Sequence, residues 1–214
     1  MNRREELAEN LAAVQARITN PAVTLIVVTK TFPASDVEIL HGLGVTHFGE
    51  NRNEEGLEKS SVVDATWHYQ GEIQSRKLRD IAQWADVIHS LDTARHSAKL
   101  DSVADGAVDV FLQLSLDGDP ARGGVIESEL PALADAVLSS SHLQLKGLMS
   151  VPPVAADART AFTEIAAIHR RFIARYPAAT SLSAGMSGDF EIAVDCGATH
   201  IRVGSSILGS RTTR

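Results

Sequence analysis

The feature that most constrains the fold is the alternation of short apolar segments with longer segments of helical periodicity along the 214-residue chain. Short runs rich in β-branched residues are typical of buried strands, and strict strand–helix alternation indicates a parallel sheet. Eight such units favour a closed (β/α)8 TIM-type barrel over an open doubly wound sheet. The predicted strands are Thr24–Lys30, His47–Asn51, Thr66–Gly71, Val87–Leu91, Asp109–Leu116, Leu143–Val151, Ser181–Gly185 and His200–Ile207.

A lead-in helix is predicted before the first strand. Leu7, Leu11, Val14 and Ile18 recur at helical spacing until Asn20-Pro21 breaks the pattern. The Gly- and Pro-containing segment 117–124 is too short to separate domains, so residues 1–214 are predicted to form a single α/β domain. Further helices are predicted over Ser35–Leu43, Ser75–Trp84, Thr93–Val103, Ser128–Leu138, Ala156–Arg175 and Asp189–Cys196.

Charge and motif content exclude several function classes. A formal net charge of −7 and the lack of a basic stripe argue against nucleic acid as a partner. The sequence has no apolar run of membrane-spanning length, and its single cysteine, Cys196, suits a reducing compartment. We therefore expect a cytoplasmic protein that binds no membrane. Without a metal-ligand spacing, a P-loop, a GxGxxG loop or a GxSxG elbow, we expect no metal and no nucleotide or serine-hydrolase chemistry.

Lys30 is the first candidate for chemistry. It ends the first predicted strand on the same face as Ile26 and Val28, and barrel active sites lie at the C-terminal ends of the strands. An amine on an apolar wall has a lowered pKa and can attack a carbonyl to form an imine. The alternative is a strand-end lysine whose amine reaches solvent.

Small residues follow the last two predicted strands. Ser183–Asp189 and Arg202–Gly209 are rich in Gly and Ser, and the loops after strands seven and eight form the usual phosphate site of this fold. Glycines let the backbone approach a phosphate, and amides donate to it. The alternative is that these are ordinary turn and capping residues.

Arg202 is predicted to point into the barrel. It shares a strand face with His200 and Gly204, while Ile201 and Val203 share the face expected to pack against helices. A guanidinium inside a barrel needs an acceptor or a π-face, which a heteroaromatic ligand would supply. An ion pair with Glu50 is an equally good explanation.

Seven motifs, in order, resemble those of the pyridoxal phosphate homeostasis protein family, also called the YggS or PROSC family. The resemblance covers nearly the whole chain. The motifs are Val28-Thr29-Lys30-Thr31, His47-Phe48-Gly49-Glu50-Asn51, Trp67-His68-Tyr69-Gln70-Gly71, Ile73-Gln74-Ser75, Gly147-Leu148-Met149-Ser150-Val151-Pro152, Leu182-Ser183 with Gly185-Met186-Ser187, and Arg202-Val203-Gly204 with Gly209.

The resemblance implies a barrel like the N-terminal domain of bacterial alanine racemase, with pyridoxal 5'-phosphate (PLP) as cofactor, bound to Lys30 as a Schiff base (internal aldimine). It also implies a role in intracellular PLP homeostasis, with apo-PLP enzymes as recipients. The other implied cofactor-binding residues are Asn51 near the cofactor, Met149 and Ser150 lining the pocket, Ser187, Gly204 and Ser205 at the phosphate, and Arg202 at the pyridine nitrogen.

Four positions depart from the pattern expected for this family. They are Arg76, where the family often has Asn, Ala184, where Met is frequent, Gly188, where an acid is common, and Ser205, where Thr is frequent. Ser205 keeps a hydroxyl and an amide, so the departure leaves the implied phosphate site intact. The changes at Arg76 and Gly188 bear on any second ligand or partner at those positions.

Two enzymatic functions are alternatives to a carrier. An amino-acid racemase needs an acid/base on each face of the substrate, and Lys30 serves only one. In the resembling racemases the second group is a Tyr from another domain, whereas Tyr69 here is expected to be a packed side chain. A Schiff-base aldolase using Lys30 on a sugar phosphate is the other alternative. Since this sequence shows no racemase-type dimerisation domain, we expect a monomer.

Overall fold

A computed structural model describes residues 2–209 of the chain. Eight parallel strands form a closed barrel in which each strand pairs with the next and β8 pairs with β1. This confirms the predicted (β/α)8 architecture. The strands are β1 (Thr24–Val28), β2 (His47–Glu50), β3 (Thr66–Tyr69), β4 (Val87–Leu91), β5 (Val108–Leu114), β6 (Leu143–Ser150), β7 (Ser181–Met186) and β8 (His200–Val203).

Helices connect the strands around the outside of the barrel. Short 3-10 turns at Ser75–Lys77 and Glu127–Glu129 precede the fourth and sixth helices, and a third lies at Pro120–Arg122. The helices are α1 (Arg3–Gln15), α2 (Ala34–His41), α3 (Asn53–Ser60), α4 (Leu78–Ile81), α5 (Ala94–Asp101), α6 (Leu130–Leu138), α7 (Ala158–Arg175), α8 (Phe190–Asp195) and α9 (Ser205–Leu208).

The predicted strands differ from the observed ones mainly at their C-terminal ends. β1 ends at Val28, so Lys30 lies in a turn two residues beyond the strand rather than at its last position. The eighth segment was predicted as strand to Ile207, but β8 ends at Val203 and the chain enters α9 after Gly204. Past β8, Ile207 and Leu208 are buried because α9 packs against α1.

Helix α3 was not among the predicted helices. Its buried positions are Asn53, Gly56 and Lys59, so it has no apolar stripe. The helix still packs closely, because a Cβ on Gly56 would lie 2.3 Å from the Trp84 ring. The Trp84 indole also donates to the Asn53 side chain at 3.0 Å. Close approach and hydrogen bonding therefore replace the apolar periodicity that a sequence pattern detects.

The predicted lead-in helix α1 begins with a reciprocal capping box between Asn2 and Glu5. Its buried side chains Leu7, Leu11 and Val14 join the main apolar core, which lies between the barrel and its helices. Helix α1 contacts α9 at the end of the chain that follows β8. The lead-in helix thus packs beside the loop that carries one of the predicted ligand-binding segments.

The barrel interior contains both apolar and polar residues. Val87, Phe111 and Met149 form a small separate apolar cluster. His68 and His89 are also buried, 2% and 0% exposed respectively, although barrel interiors are usually filled by branched aliphatic side chains. No helix within residues 2–209 is long and apolar enough to cross a membrane.

Candidate functional site at the barrel mouth

A cavity of about 470 Å³ opens at the C-terminal ends of the strands. Seven of the eight predicted site residues contribute to its wall, and they come from five of the eight strands or the segments that follow them. The lining residues are Val28, Lys30, Phe32, Asn51, Gln70, Met149, Val151, Met186, Ser187, Gly188, Arg202, Gly204, Ser205 and Gly209.

Lys30 lies between two residues that are fixed by α3. The buried Lys59 amine donates to the Thr29 carbonyl at 2.9 Å, and the Thr31 amide donates to the Glu55 carboxylate at 2.6 Å. Thr31 has a φ of 70°, the one positive value for a non-glycine residue within 2–209. A hydrogen bond from its amide stabilises this unfavourable conformation. The turn that carries Lys30 is therefore fixed from both sides.

The same cluster contains a buried ion pair. Lys59 donates to Glu50 at 2.6 Å and to Glu55 at 3.2 Å, and the Thr29 hydroxyl donates to Glu50 at 2.5 Å. Burial raises the pKa of Glu50 in spite of Lys59. Burial acts in the same direction on Glu55, but hydrogen bonds from the Thr31 amide and Lys59 outweigh it, and the pKa of Glu55 is lowered. Both carboxyls lie outside the barrel, between the sheet and α3.

The mouth next to β7 and β8 is rich in weakly engaged donors. The Gly204 and Ser206 amides point toward the Ser187 hydroxyl at 3.3 and 3.4 Å, and the Ser206 hydroxyl lies 3.5 Å from the Ser187 carbonyl. These contacts are long for hydrogen bonds. A Cβ on Gly204 would lie 3.0 Å from the Val28 carbonyl, so glycine keeps this backbone close to β1.

Arg202 is buried inside the barrel, as predicted, with 6% of its surface exposed. Its Nη1 donates to the Ser183 carbonyl and hydroxyl, both at 2.8 Å, and its Nη2 donates to the Ser150 carbonyl at 3.2 Å. Glu50 binds Lys59 instead, so the alternative of a Glu50–Arg202 ion pair is wrong. Burial lowers the pKa of Arg202 to about 10.

Two polar side chains at the mouth keep buried atoms without a partner among the described residues. The Asn51 amide nitrogen donates to the Gln70 carbonyl at 3.2 Å, but its oxygen Oδ1 accepts no hydrogen bond. The Gln70 nitrogen Nε2 is also buried and unpaired. An acceptor and a donor thus line the cavity on adjacent strands. Buried polar atoms are normally paired, so these two indicate a place for a ligand.

Met149 lines the cavity, as predicted, but the Ser150 side chain does not join it. Ser150 is fully buried, and its hydroxyl donates to the Leu114 carbonyl at 3.0 Å. Ser150 is connected to the site through its carbonyl, which accepts from Arg202. Gln70 was missed as a site residue, although it lies one residue past β3 on the inward face shared with His68. The strand-end rule used for Lys30 would have found it.

Tyr69 is packed, as predicted. Its ring lies 6.0 Å from the Trp84 ring, and its hydroxyl donates to the Glu72 carbonyl at 2.8 Å. Burial raises the pKa of Tyr69 to about 12. A phenol held in this way is a poor acid/base at neutral pH.

Of the four departures from the family pattern, Gly188 and Ser205 line the cavity. Arg76 is exposed, and its guanidinium contacts the Gln74 side chain at 3.3 Å. Ala184 is fully buried in the main core.

The site combines three chemical functions around one cavity. Lys30 contributes a primary amine, the loops after β7 and β8 contribute N–H and O–H donors, and Arg202 contributes a cation. This combination suits a small anionic molecule that carries a carbonyl group.

Comparison with known proteins identifies the family. The family model described as "Alanine racemase, N-terminal domain" matches residues 3–212. A pyridoxal phosphate homeostasis protein of Mycobacterium leprae is 36% identical over an alignment of 247 positions that covers 100% of this chain and 96% of the relative. The corresponding protein of Corynebacterium glutamicum is 39% identical, with 89% of this chain and 91% of the relative covered.

The chain belongs to the pyridoxal phosphate homeostasis protein family. This confirms the resemblance inferred from the seven motifs. A solved structure of a family-like protein, PipY of Synechococcus elongatus with PLP bound, superposes with a TM-score of 0.87 at 32% identity. The match covers 95% of this chain and 100% of PipY.

Proposed function

We propose that this protein binds PLP in the mouth cavity and takes part in intracellular PLP homeostasis by holding the cofactor and releasing it to apo-enzymes. The observation that carries the proposal is that Lys30, Arg202 and the hydrogen-bond donors of Ser187 and Gly204 line the same cavity. Family membership and the bound PLP in PipY support it.

The residues present fit the cofactor. Lys30 supplies the amine that adds to the aldehyde carbon; loss of one water leaves a carbon–nitrogen double bond. Ser187, Gly204 and Ser205 supply amides and hydroxyls for the phosphate. The Gly204 and Ser206 amides make only long contacts with the Ser187 hydroxyl, which leaves these donors available. Met149 provides apolar surface for the ring. The unpaired atoms of Asn51 and Gln70 are suited to polar groups on the ring.

The chemistry of Arg202 supports the function of a carrier rather than that of a strong catalyst. A guanidinium only donates hydrogen bonds, so beside the pyridine nitrogen it requires an unprotonated acceptor. An unprotonated ring is a poorer electron sink than one paired with a carboxylate. Ser150 contributes to this role through its carbonyl, which holds Arg202. The second acid/base that racemisation requires is not supplied by Tyr69, whose hydroxyl is bound to the Glu72 carbonyl.

Several features remain predictions from the sequence: a single domain over residues 1–214, a monomeric state, a cytoplasmic location and apo-PLP enzymes as recipients. They are consistent with a carrier, which must meet its recipients in the compartment where they fold.

A delivery assay tests the proposal. The protein is loaded with PLP, desalted and mixed with a PLP-dependent apo-enzyme, whose recovered activity is followed in time. We expect imine absorbance in the loaded protein and recovery that begins only on mixing. The control is the same protein after borohydride reduction, which fixes the cofactor on the amine and abolishes delivery. A protein that stays colourless after incubation with excess PLP would refute the proposal.

A further inference from the structure

A chain of hydrogen-bonded side chains crosses the interior of the barrel below the cavity. The ring nitrogens His47 Nδ1 and His68 Nε2 are 3.0 Å apart, and His68 Nδ1 and His89 Nε2 are 2.8 Å apart. His89 Nδ1 lies 2.9 Å from the Ser183 hydroxyl, which also contacts Arg202 at 2.8 Å. Four strands in addition to β8 thus contribute to a continuous polar path that ends at the site.

The Arg202 end fixes the direction of the first bonds. A guanidinium cannot accept, so the Ser183 oxygen accepts from Arg202. The Ser183 hydroxyl hydrogen then needs an acceptor, and His89 Nδ1 is the remaining partner that the described residues give it. His89 Nδ1 is therefore unprotonated, and the neutral His89 ring carries its hydrogen on Nε2.

The same assignment of donors and acceptors determines the other bonds of the hydrogen-bond chain. His89 Nε2–H donates to His68 Nδ1, so His68 also carries its hydrogen on Nε2 and donates to His47 Nδ1. His47 is half-buried, so its own Nε2–H lies at the more accessible end of the chain. Every bond in the chain then runs in one direction, from Arg202 to His47.

Burial keeps the rings neutral. His89 is fully buried and stacks on Phe111 at 4.4 Å, and His68 is 2% exposed. Burial is the main cause that lowers the pKa of both rings well below the ordinary value, and at His89 the Arg202 cation acts in the same direction. Burial also lowers the pKa of His47, although less strongly, with Asp86 opposing the change.

Other titratable groups lie close to the path. His200, which adjoins His47 and Arg202, has its pKa lowered by burial to about 4. Lys146 is the further charged neighbour of His200. A proton added to His89 would place a charge near Arg202. A proton added to either ring would put a donor on a nitrogen that the hydrogen-bond chain needs as an acceptor. The neutral, directional arrangement is therefore the stable one.

We propose that His89, His68 and His47 are positioning residues for Arg202: they form a one-way hydrogen-bond chain that holds the Ser183 hydroxyl as an acceptor and so fixes the guanidinium at the cavity. The proposal deepens the proposed function and rests on it, because Arg202 is the group placed beside the pyridine nitrogen. It assigns this chain of interior histidines a role in setting the protonation of that nitrogen.

The tautomers can be measured without any cofactor. Nuclear magnetic resonance of isotope-labelled histidine in the ligand-free protein reports which ring nitrogen carries hydrogen. We expect the Nε2–H tautomer for all three rings near neutral pH, and we expect His68 and His89 to stay neutral below the ordinary histidine pKa of about 6.5. A hydrogen on Nδ1 of His89 would overturn the proposal.

A pair of substitutions tests the effect on Arg202. His89→Asn keeps a polar group where Nδ1 faces Ser183, whereas His89→Leu removes it. With isotope-labelled PLP bound, we expect His89→Leu to raise the pH of ring-nitrogen protonation by about one unit, which is the effect of losing roughly one hydrogen bond to a charged group. His89→Asn is expected to restore most of the wild-type value. His142→Asn, at a surface histidine bonded to Asp101, is the control.

The outcomes separate the two proposals. Equal shifts in His89→Leu and His89→Asn, or no shift in either, would refute the positioning role while PLP binding stands. If the wild-type protein binds no PLP, the proposed function fails, and the tautomers in the ligand-free protein still decide whether the directional chain exists. If His89→Leu does not fold, the wild-type tautomers carry the decision.

Discussion

The polar interior of the barrel and the polar mouth above it differ in how completely their hydrogen bonds are formed. In the interior, His47, His68 and His89 are linked at 2.8 to 3.0 Å. At the mouth, Asn51 and Gln70 keep buried atoms that have no partner within residues 2–209. The contrast indicates which polar groups serve the fold and which are left for a ligand.

The contrast matters because unpaired buried polar atoms cost free energy. An unpaired buried polar atom costs about 1–3 kcal/mol, so two such atoms at the wall of one cavity indicate a position where another molecule supplies the partners. A completed network rigidifies the groups it contains, and removing one member leaves its neighbour unpaired. Substitutions in the two regions should therefore have opposite profiles: interior changes reduce stability, whereas mouth changes reduce ligand affinity.

The largest expected effect is at the mouth. Lys30→Ala removes the amine, so covalent retention of PLP should be lost entirely. The turn around position 30 is held by Lys59 and Glu55, so the melting temperature of the ligand-free protein should change little. Absorbance after desalting and a thermal melt check both. Lys77→Ala, at a surface lysine paired with Glu54, is the control. Imine absorbance that survives Lys30→Ala would contradict the account.

Arg202 joins the two regions, so its loss should affect both. Arg202→Met keeps apolar volume but leaves acceptors on Ser183 and Ser150 without their donor. We expect affinity for PLP to fall roughly ten- to a hundredfold, the range of a hydrogen bond to a charged group. The urea midpoint should also fall. Equilibrium dialysis and urea unfolding measure the two effects, and wild-type affinity in the variant would separate Arg202 from the site.

The interior histidines should make the free energy of unfolding depend on pH. The pKa values of His68 and His89 are lowered in the folded protein, so below about pH 6.5 the unfolded chain binds protons that the folded chain does not. Stability is therefore complete above the unfolded pKa and falls as the pH drops below it. Each such histidine contributes at most about 1.4 kcal/mol per pH unit.

The measurement is the free energy of unfolding in urea at several pH values between about 7 and 5. His89→Leu should reduce the slope with pH because it removes one of the titrating groups. His142→Asn serves as the comparison outside the barrel. A slope that is identical in wild type and His89→Leu would show that His89 does not stay neutral in the fold.

The smallest expected effect is that of Gln70→Leu, and it separates ligand affinity at the mouth from the stability of the fold. Gln70→Leu removes an unpaired buried donor, so the ligand-free protein should be equally or slightly more stable. Affinity for PLP should fall roughly fivefold, about one neutral hydrogen bond. Calorimetric titration and thermal melts check this pair of results. Lower stability with unchanged affinity would place Gln70 in the structural network instead.

Periodicity was sufficient to predict the barrel, and strand parity placed Arg202 inward. The rule for loops after strands seven and eight marked the segments Ser183–Asp189 and Arg202–Gly209, and the family resemblance singled out Ser187, Gly204 and Ser205 within them. Parity could not choose between a ligand and Glu50 as the partner of Arg202. That choice depends on which way Glu50 points, and Glu50 lies on the opposite face of β2, against Lys59.

The interior chain could not be predicted for a related reason. His68 and His89 are visible as inward positions on β3 and β4, but which side chains touch depends on the stagger between strands, including the register shift between β7 and β8. The support beneath Lys30 was missed because α3 has no apolar stripe. Its Lys59 and Glu55 act through hydrogen bonds between residues distant in sequence.

The most direct test of the central claim is to locate the covalent bond. The protein is saturated with PLP, reduced with borohydride, digested and analysed by peptide mass spectrometry. We predict a single pyridoxyl phosphate modification on the peptide that contains Lys30. A modification on another lysine instead, or none after saturation, would contradict the assignment of this barrel mouth as a PLP site.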